Sequence, residues 1–301
     1  MPSAPLNGLD LYYEAQGASD APVILLIMGL GGQLTMWPPG FVDDLVAAGY
    51  RVVRFDNRDV GLSSKFDEAR LPHPVLQMLA RRVGWRLATP YDLADMARDA
   101  EGLLDHLGIE AAHVVGISMG GMIAQHLAAG APGRVRSLTA VMSTTGNPRL
   151  PRPKGEILKR LLRQGPAPIG RDAIIDRGVE TFALIGTPGE DHNTNGVRDQ
   201  IAVSFDRNHH PSGPLRQIAA ILSSGDFRSV TRRVRAPTLV IHGTVDPLVS
   251  PLGGQDIARN IPGARLELIE EMGHDLVPRH RPRILRHILD HVADVETGLR
   301  P

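Results

Sequence analysis

Short runs rich in Val, Ile and Leu recur along this sequence, at Val23–Met28, Arg51–Phe55, His113–Ile117, Ser137–Met142, Thr238–His242 and Arg265–Ile269. Within them apolar residues cluster instead of alternating with polar ones. An alternating strand has one face in water. A strand apolar on both faces must be covered on both, which is the condition of a parallel sheet. Helix-length segments separate most of the runs. In one of them Leu93, Met96, Ala97, Ala100, Leu103, Leu104 and Leu107 fall on a single helical stripe, and Gly108 supplies a stop. This alternation predicts an α/β fold, a mostly parallel central sheet flanked by helices. Leu9–Glu14 reads as a further strand, antiparallel at the sheet edge. With 301 residues and 42% apolar content, the chain can bury a core of that size.

The alternation lapses between Gly146 and Arg235, where Pro and Gly punctuate short helical patches and no buried strand is visible. The expected organisation is therefore a core in two parts, residues 1–145 and 236–301, with a helical cap inserted at 146–235 over the sheet's C-terminal edge. A second excursion, Lys65 to Pro90, contains the helical-looking stretch PVLQMLARRVGWRL near the same edge.

Composition excludes several function classes. The formal net charge is zero, so neither nucleic acid nor an anionic membrane is an expected partner, and the basic run Arg232-Arg233-Val234-Arg235 reads as a solvated face. Cysteine is absent, which removes disulfides, thiol catalysis and thiolate metal sites. The N-terminal stretch lacks a basic region followed by an apolar one, and its longest apolar run falls far short of the about 20 residues that span a bilayer. A soluble cytoplasmic protein without stable membrane association, monomeric or homodimeric, is the expectation. The loop Gly29-Leu30-Gly31-Gly32 is not a dinucleotide fingerprint because position 34 is Leu, and no phosphate-loop pattern occurs. His287 and His291 have helical spacing but no H-E-x-x-H, so they read as a solvated helix face and no metal is expected. His209 and His210 lie in the expected cap, from which they could reach the pocket, but surface residence is the preferred reading.

Positive chemistry begins at Gly116-Ile117-Ser118-Met119-Gly120, between a strand and a good helix-former run. In that context G-x-S-x-G describes a strained turn that exposes the serine oxygen, with glycines where a Cβ would crowd the turn. The helix N-terminus beside it directs unpaired N–H groups at the reacting centre. A serine nucleophile needs a base, and the base an acid to orient it. Asp246 follows the strand Thr238–His242, and His274 follows the strand Arg265–Ile269; Ser118, Asp246, His274 is the chain order of α/β-hydrolases. Read singly, Asp246-Pro247 is also a turn former, and Asp275 beside His274 could cap a helix. No carboxylate stands in the rival position after the strand ending near Met142. The oxyanion requires two donors, expected at the N–H of Met119 and the N–H of Leu30. Asp56-Asn57-Arg58 reads as a hydrogen-bonded scaffold beneath the Leu30 loop.

These segments, MGLGG, DNRDVGLS, GISMGGMIAQ, HGTVDPLVS and MGHDL, resemble the α/β-hydrolase fold superfamily over nearly the whole chain. Within it, the chain is similar to bacterial aclacinomycin methylesterase-like and 3-oxoadipate enol-lactonase-like serine esterases. The resemblance implies a Ser118–His274–Asp246 triad, an oxyanion hole at Leu30 and Met119, and no cofactor. Two positions depart from the common pattern: Met28-Gly29 replaces His-Gly, and Asp59 replaces the first glycine of D-x-R-G-x-G-x-S. Relatives that form an alkyl-enzyme ester carry Asp at the elbow, so Ser118 implies attack on an acyl carbonyl. A small-molecule carboxylic ester is the expected substrate. Lactonase, C–C hydrolase and perhydrolase or acyltransferase chemistry use the same machinery, and a non-catalytic receptor is the remaining alternative. Gly29, Trp37, Leu248 and Leu276 are the expected pocket walls, with Leu30 and Met119 beside them and Phe182, Leu184, Ile218, Ile221 and Leu222 as acyl-pocket candidates in the cap. A histidine base predicts turnover that falls where imidazole protonates, about pH 6 to 7; a rate level down to about pH 4 would exclude it.

Overall fold

The structure is a computed structural model that describes residues 3–6, 8–69, 88–153, 155–161 and 169–299. The stretch PVLQMLARRVGWRL lies outside the described residues. Eight strands form one sheet: β1 (Ser3–Leu6), β2 (Leu9–Gln16), β3 (Val23–Ile27), β4 (Arg51–Phe55), β5 (Ala112–Ile117), β6 (Val135–Val141), β7 (Thr238–Gly243) and β8 (Arg265–Ile269). Their spatial order is β1-β2-β4-β3-β5-β6-β7-β8. Strands β3 to β8 are parallel, while β2 joins β4, and β1 joins β2, antiparallel. The N-terminal strand read from Leu9–Glu14 is therefore antiparallel as expected, but it is not the edge, because Ser3–Leu6 pairs outside it.

The doubly apolar strands are covered on both faces. Leu25, Ile27, Val114, Leu138 and Val240 enter one core, beneath α2 (Leu93–His106), α3 (Met119–Gly130) and α9 (Pro251–Asn260). Their neighbours Ile24, Leu26, Val115, Val141 and Ile241 enter the other, beneath α1 (Pro39–Ala47) and α10 (Arg281–Glu296). A one-residue slip in register would exchange these sets, so both cores fix the register together. Helix α2 buries its Leu93–Leu104 stripe. Its start is locked by a reciprocal cap: Asp92 Oδ1 accepts from the N–H of Ala94 and Asp95, and Asp95 Oδ2 accepts from Asp92 N–H. Helix α10 departs from the expected solvated histidine face. His291 is buried and donates from Nε2 to the Pro237 carbonyl at 3.2 Å, because α10 lays that face on the sheet.

Between β6 and β7 the described residues carry helices only: α4 (Gly155–Leu161), α5 (Arg171–Ile185), α6 (Val197–Arg207), α7 (Gly213–Ser224) and the single turn α8 (Arg228–Thr231). Among the described residues no helix is long and apolar enough to cross a membrane.

One close approach positions the rest. Helix α3 leaves β5 so tightly that a Cβ on Gly116 would lie 2.3 Å from the Gly120 carbonyl oxygen, and one on Gly120 only 2.0 Å from that of Ile27. Both neighbours are backbone atoms, one in the first turn of α3 and the other in the central strand β3, and cannot step aside. Gly120→Ala is expected to cost about 3 kcal/mol or more, read as a lowered urea midpoint at unchanged slope. Gly130→Ala, in the same helix with open space around it, is expected to be neutral or stabilising by under about 1 kcal/mol.

Candidate active site

Strand β5 ends at Ile117, and the next residue turns with φ 55° and ψ −117°, a left-handed backbone rarely taken by a side-chain-bearing residue. The surroundings over-determine it. Ser118 N–H donates to the Val141 carbonyl at 2.9 Å, and the Ser118 carbonyl accepts from Gly121 N–H, Met122 N–H and Ser143 Oγ. Ser118 precedes helix α3 without capping it through its side chain, so its hydroxyl is left for another partner. That partner is His274, whose Nε2 lies 2.9 Å from Ser118 Oγ. On the other side of the ring, His274 Nδ1 donates to Asp246 Oδ2 at 2.7 Å. Three residues from the ends of three strands thus form one hydrogen-bonded line.

Asp246 is buried and fully coordinated. Its Oδ1 accepts from the N–H groups of Leu248 and Val249 at 2.9 and 2.8 Å. Its Oδ2 receives His274 and, at 3.3 Å, His242 Nε2. Burial alone would raise the pKa, but the facing His274 and the hydrogen bonds from His242 and His274 outweigh it. The carboxyl is held well below the usual carboxylate range. His242 was not singled out from the sequence, although it stands four residues before Asp246 at the strand's end. Its Nε2 also donates to the Val249 carbonyl at 2.8 Å.

Asp275 does not cap a helix, since α10 starts at Arg281. Its buried carboxylate instead accepts from Thr187 N–H and Thr187 Oγ1 at 2.8 and 2.6 Å, and from His192 Nε2 at 2.9 Å. His274 N–H adds a bond to the Ile185 carbonyl at 2.9 Å, and Gly273 N–H one to Thr187 Oγ1 at 3.0 Å. The histidine turn is therefore clasped to the loop after α5. A lone sequence carried no signal for that clasp, whose halves lie more than eighty residues apart.

Ser118 and His274 open onto a cavity of about 370 Å³. Gly29, Leu30, Leu248 and Leu276 line it, together with Met28, Ile117 and Met36. Phe182 and Ile185 from α5 and Ile201 and Phe205 from α6 also line it. Trp37 is a correction. It is fully buried, packs on Phe41 with ring centroids 5.4 Å apart, and belongs to the core under α1, while its neighbours Met36 and Pro38 face the cavity. The extended backbone at position 37 after the turn Leu34–Met36 sends adjacent side chains opposite ways. Met119 likewise puts its side chain in the core and is not among the lining residues. Leu184, Ile218, Ile221 and Leu222 are not among the lining residues, whereas His209 and His210, read as surface, are. A separate concavity of about 430 Å³, between α2, α3 and Phe227, contains none of Ser118, Asp246 or His274.

The Leu30 loop is built as the scaffold reading anticipated. Asn57 Nδ2 donates to the Met28 carbonyl at 2.9 Å, Asp56 Oδ1 accepts from Leu34 N–H at 2.8 Å, and Arg58 forms a two-pronged pair with Asp99 at 2.6 Å. Among the described residues no cluster of three or more potential metal ligands occurs.

Residues 22–280 match the sequence profile of a family described as alpha/beta hydrolase fold. Rhodomycin D methylesterase DnrP of Streptomyces peucetius is 31% identical over 296 residues, covering 92% of this chain and 93% of that protein. Putative carbamate hydrolase RutD of Azorhizobium caulinodans is 31% identical over 282 residues, covering 91% of each. Among solved structures, the enol-lactonase from Burkholderia xenovorans LB400 superposes with a TM-score of 0.74 at 26% identity, over 97% of this chain and all of that one.

The depressed Asp246 carboxyl has a thermodynamic signature. A folded value below the unfolded one contributes stability that is present above the unfolded value and lost as pH falls toward the folded one. The stability advantage of wild type over Asp246→Asn, from urea midpoints, is expected to stay level from about pH 7 to 5 and to shrink only below about pH 4. An advantage already lost near about pH 6 would mean the carboxyl is not held ionised.

Proposed function

The chain belongs to the α/β-hydrolase fold family, and from that premise we propose that it is a serine esterase, cleaving carboxylic esters of small to medium molecules through an acyl-enzyme on Ser118. The observation that carries this reading is the continuous line Ser118 Oγ–His274–Asp246, at 2.9 and 2.7 Å, opening onto a mainly apolar cavity. His274 Nε2 takes the hydroxyl proton as Ser118 Oγ attacks the ester carbonyl. Asp246 holds the ring in the Nδ1–H tautomer and stabilises the cation that forms.

The tetrahedral oxyanion is stabilised by the N–H groups of Met119 and Leu30. Met119 opens helix α3, where the first turn has no intrahelical acceptor, and among the described residues Leu30 N–H has no hydrogen-bond partner. His274 then returns its proton to the departing alkoxide. Water, deprotonated by the same imidazole, attacks the acyl carbonyl and releases the acid and the free hydroxyl. Neither a metal nor an organic cofactor enters these steps.

The segment 146–235 is the cap in this reading. It is supported by the α5 and α6 side chains that line the same cavity as Ser118. Ester hydrolysis is preferred over carbamate cleavage because alkoxide leaves more readily than amine, and because relatives at about the same identity include methylesterases.

Hydrolysis of p-nitrophenyl esters from acetate to dodecanoate tests the reading. Wild type is expected to turn over, with a chain-length optimum set by the cavity, and Ser118→Ala to lose roughly 10⁴- to 10⁶-fold in kcat. Silence of wild type on every ester, with turnover on a lactone or a β-diketone instead, would move the assignment to lactonase or C–C cleavage. Undiminished turnover by Ser118→Ala would remove the nucleophile.

A further inference from the structure

We propose that Gln217, on α7 of the helical segment, is a positioning residue that sets the oxyanion loop; this rests on the serine-esterase reading above. The loop Gly29-Leu30-Gly31-Gly32 has almost no side chains with which to fix itself. Its ends are tied: the Met28 carbonyl accepts from Asn57, Gly32 N–H reaches the Gly29 carbonyl at 3.2 Å, and Leu34 N–H reaches Asp56. At its middle, Gly31 N–H donates to Gln217 Oε1 at 2.8 Å. Gly31 has φ 68°, and Pro214 of the same helix packs so closely that a Cβ there would lie 3.1 Å from its ring.

The amide of Gln217 cannot choose its orientation. Its Nε2 donates to the Arg58 carbonyl at 2.8 Å, and the side chain is fully buried. Flipping it would face donor against donor and acceptor against acceptor. Arg58 is itself locked to Asp99 on α2, so the chain of contacts runs from the core helix through Arg58 and Gln217 to Gly31.

Two consequences follow from the planar peptide. Gly31 N–H is occupied and cannot serve as an oxyanion donor. The Gln217 bond fixes the Leu30–Gly31 peptide plane, and the Gly29 carbonyl, coplanar with Leu30 N–H, is held by Gly32 N–H at 3.2 Å; with both planes flanking Leu30 held, Leu30 N–H is left as the loop's donor with its direction set. Oxyanion stabilisation depends on donors held in place before charge develops. A group that only glued the helical segment to the core would affect substrate binding and stability; one that sets the donor affects the transition state.

Gln217→Met keeps length and volume but can neither donate nor accept. Relative to wild type it is expected to lower kcat about 10- to 100-fold, less than the ~10²–10³ for deleting an oxyanion donor outright, with KM changed under about 3-fold. Affinity for an aryl trifluoromethyl ketone, whose serine adduct carries the oxyanion, is expected to fall in parallel, while that for the corresponding unreactive ether stays unchanged.

A folded Q217M with unchanged kcat and ketone affinity overturns the proposal. So does a loss confined to KM and melting temperature. If Q217M does not fold, Gln217→Asn, too short to span both partners, takes its place under the same criteria. In the wild-type protein the Gly31 amide is expected to exchange hydrogen slowly, and fast exchange would also overturn the proposal. Ester turnover that survives Ser118→Ala would fail the esterase reading instead, leaving the Gly31 exchange result as it stands.

Discussion

Everything at the site depends on how closely helix α3 approaches the middle of the sheet. Gly116 and Gly120 remove the atoms that would keep strand and helix apart, and Ser118 absorbs the bend with φ 55°. Strain of this kind persists only where neighbouring contacts fix it. Here they do: β6 holds the Ser118 amide through Val141, and Ser143 holds its carbonyl. The hydroxyl is consequently aimed by the sheet itself, and strands β7 and β8 bring Asp246 and His274 to the same edge because they run parallel to β5 and end together.

The helical segment between β6 and β7 is joined to that edge mainly by buried polar contacts. Arg207 pairs with Asp56 at 2.6 Å, and Arg216 grips both oxygens of Asp59 at 2.8 and 3.0 Å. Tyr91 donates to the same Asp59 carboxylate at 2.5 Å. Burial pushes the Asp56 carboxyl above the usual range, even though Arg207 and the N–H groups of Leu34 and Leu62 pull the other way. Burial and the neighbouring Asp59 charge raise Tyr91 as well. Buried pairs of this kind add little net stability over an apolar contact, but removing one partner is costly, about 3–5 kcal/mol. They tie those helices to Asp56 and Asp59 beside the site. That attachment matters because the Thr187–Asp275 clasp and the Gln217–Gly31 bond reach from the same segment to the histidine turn and the Leu30 loop.

Asp59 illustrates how a departure from a common pattern becomes intelligible only in three dimensions. It stands with φ 71°, where the family's usual glycine would be at ease. Its side chain repays the strain by accepting from Phe66 N–H, Tyr91 and Arg216. In the sequence it was only a missing glycine. The same limit applied to Trp37, whose neighbours face the cavity while it turns into the core, and to His210, which faces the cavity although its residue type suggests surface. Adjacency to a motif tells which loop a residue occupies but not which way its side chain points.

By itself, the sequence determined the layers of the fold, the strand-turn-helix elbow at Ser118, and the chain order of serine, carboxylate and histidine. Those features are local: apolar runs, helical periodicity and tight-turn glycines act through near neighbours, and strand ends in a parallel sheet converge whatever lies between them. Tertiary structure alone decided the second histidine on Asp246, the clasp on Asp275, the course of the cavity wall and the hold of Gln217 on Gly31. Each joins side chains whose specificity comes from distance and orientation rather than residue type. Glutamine, threonine and histidine are compatible with almost any surface until the fold buries them against one particular partner.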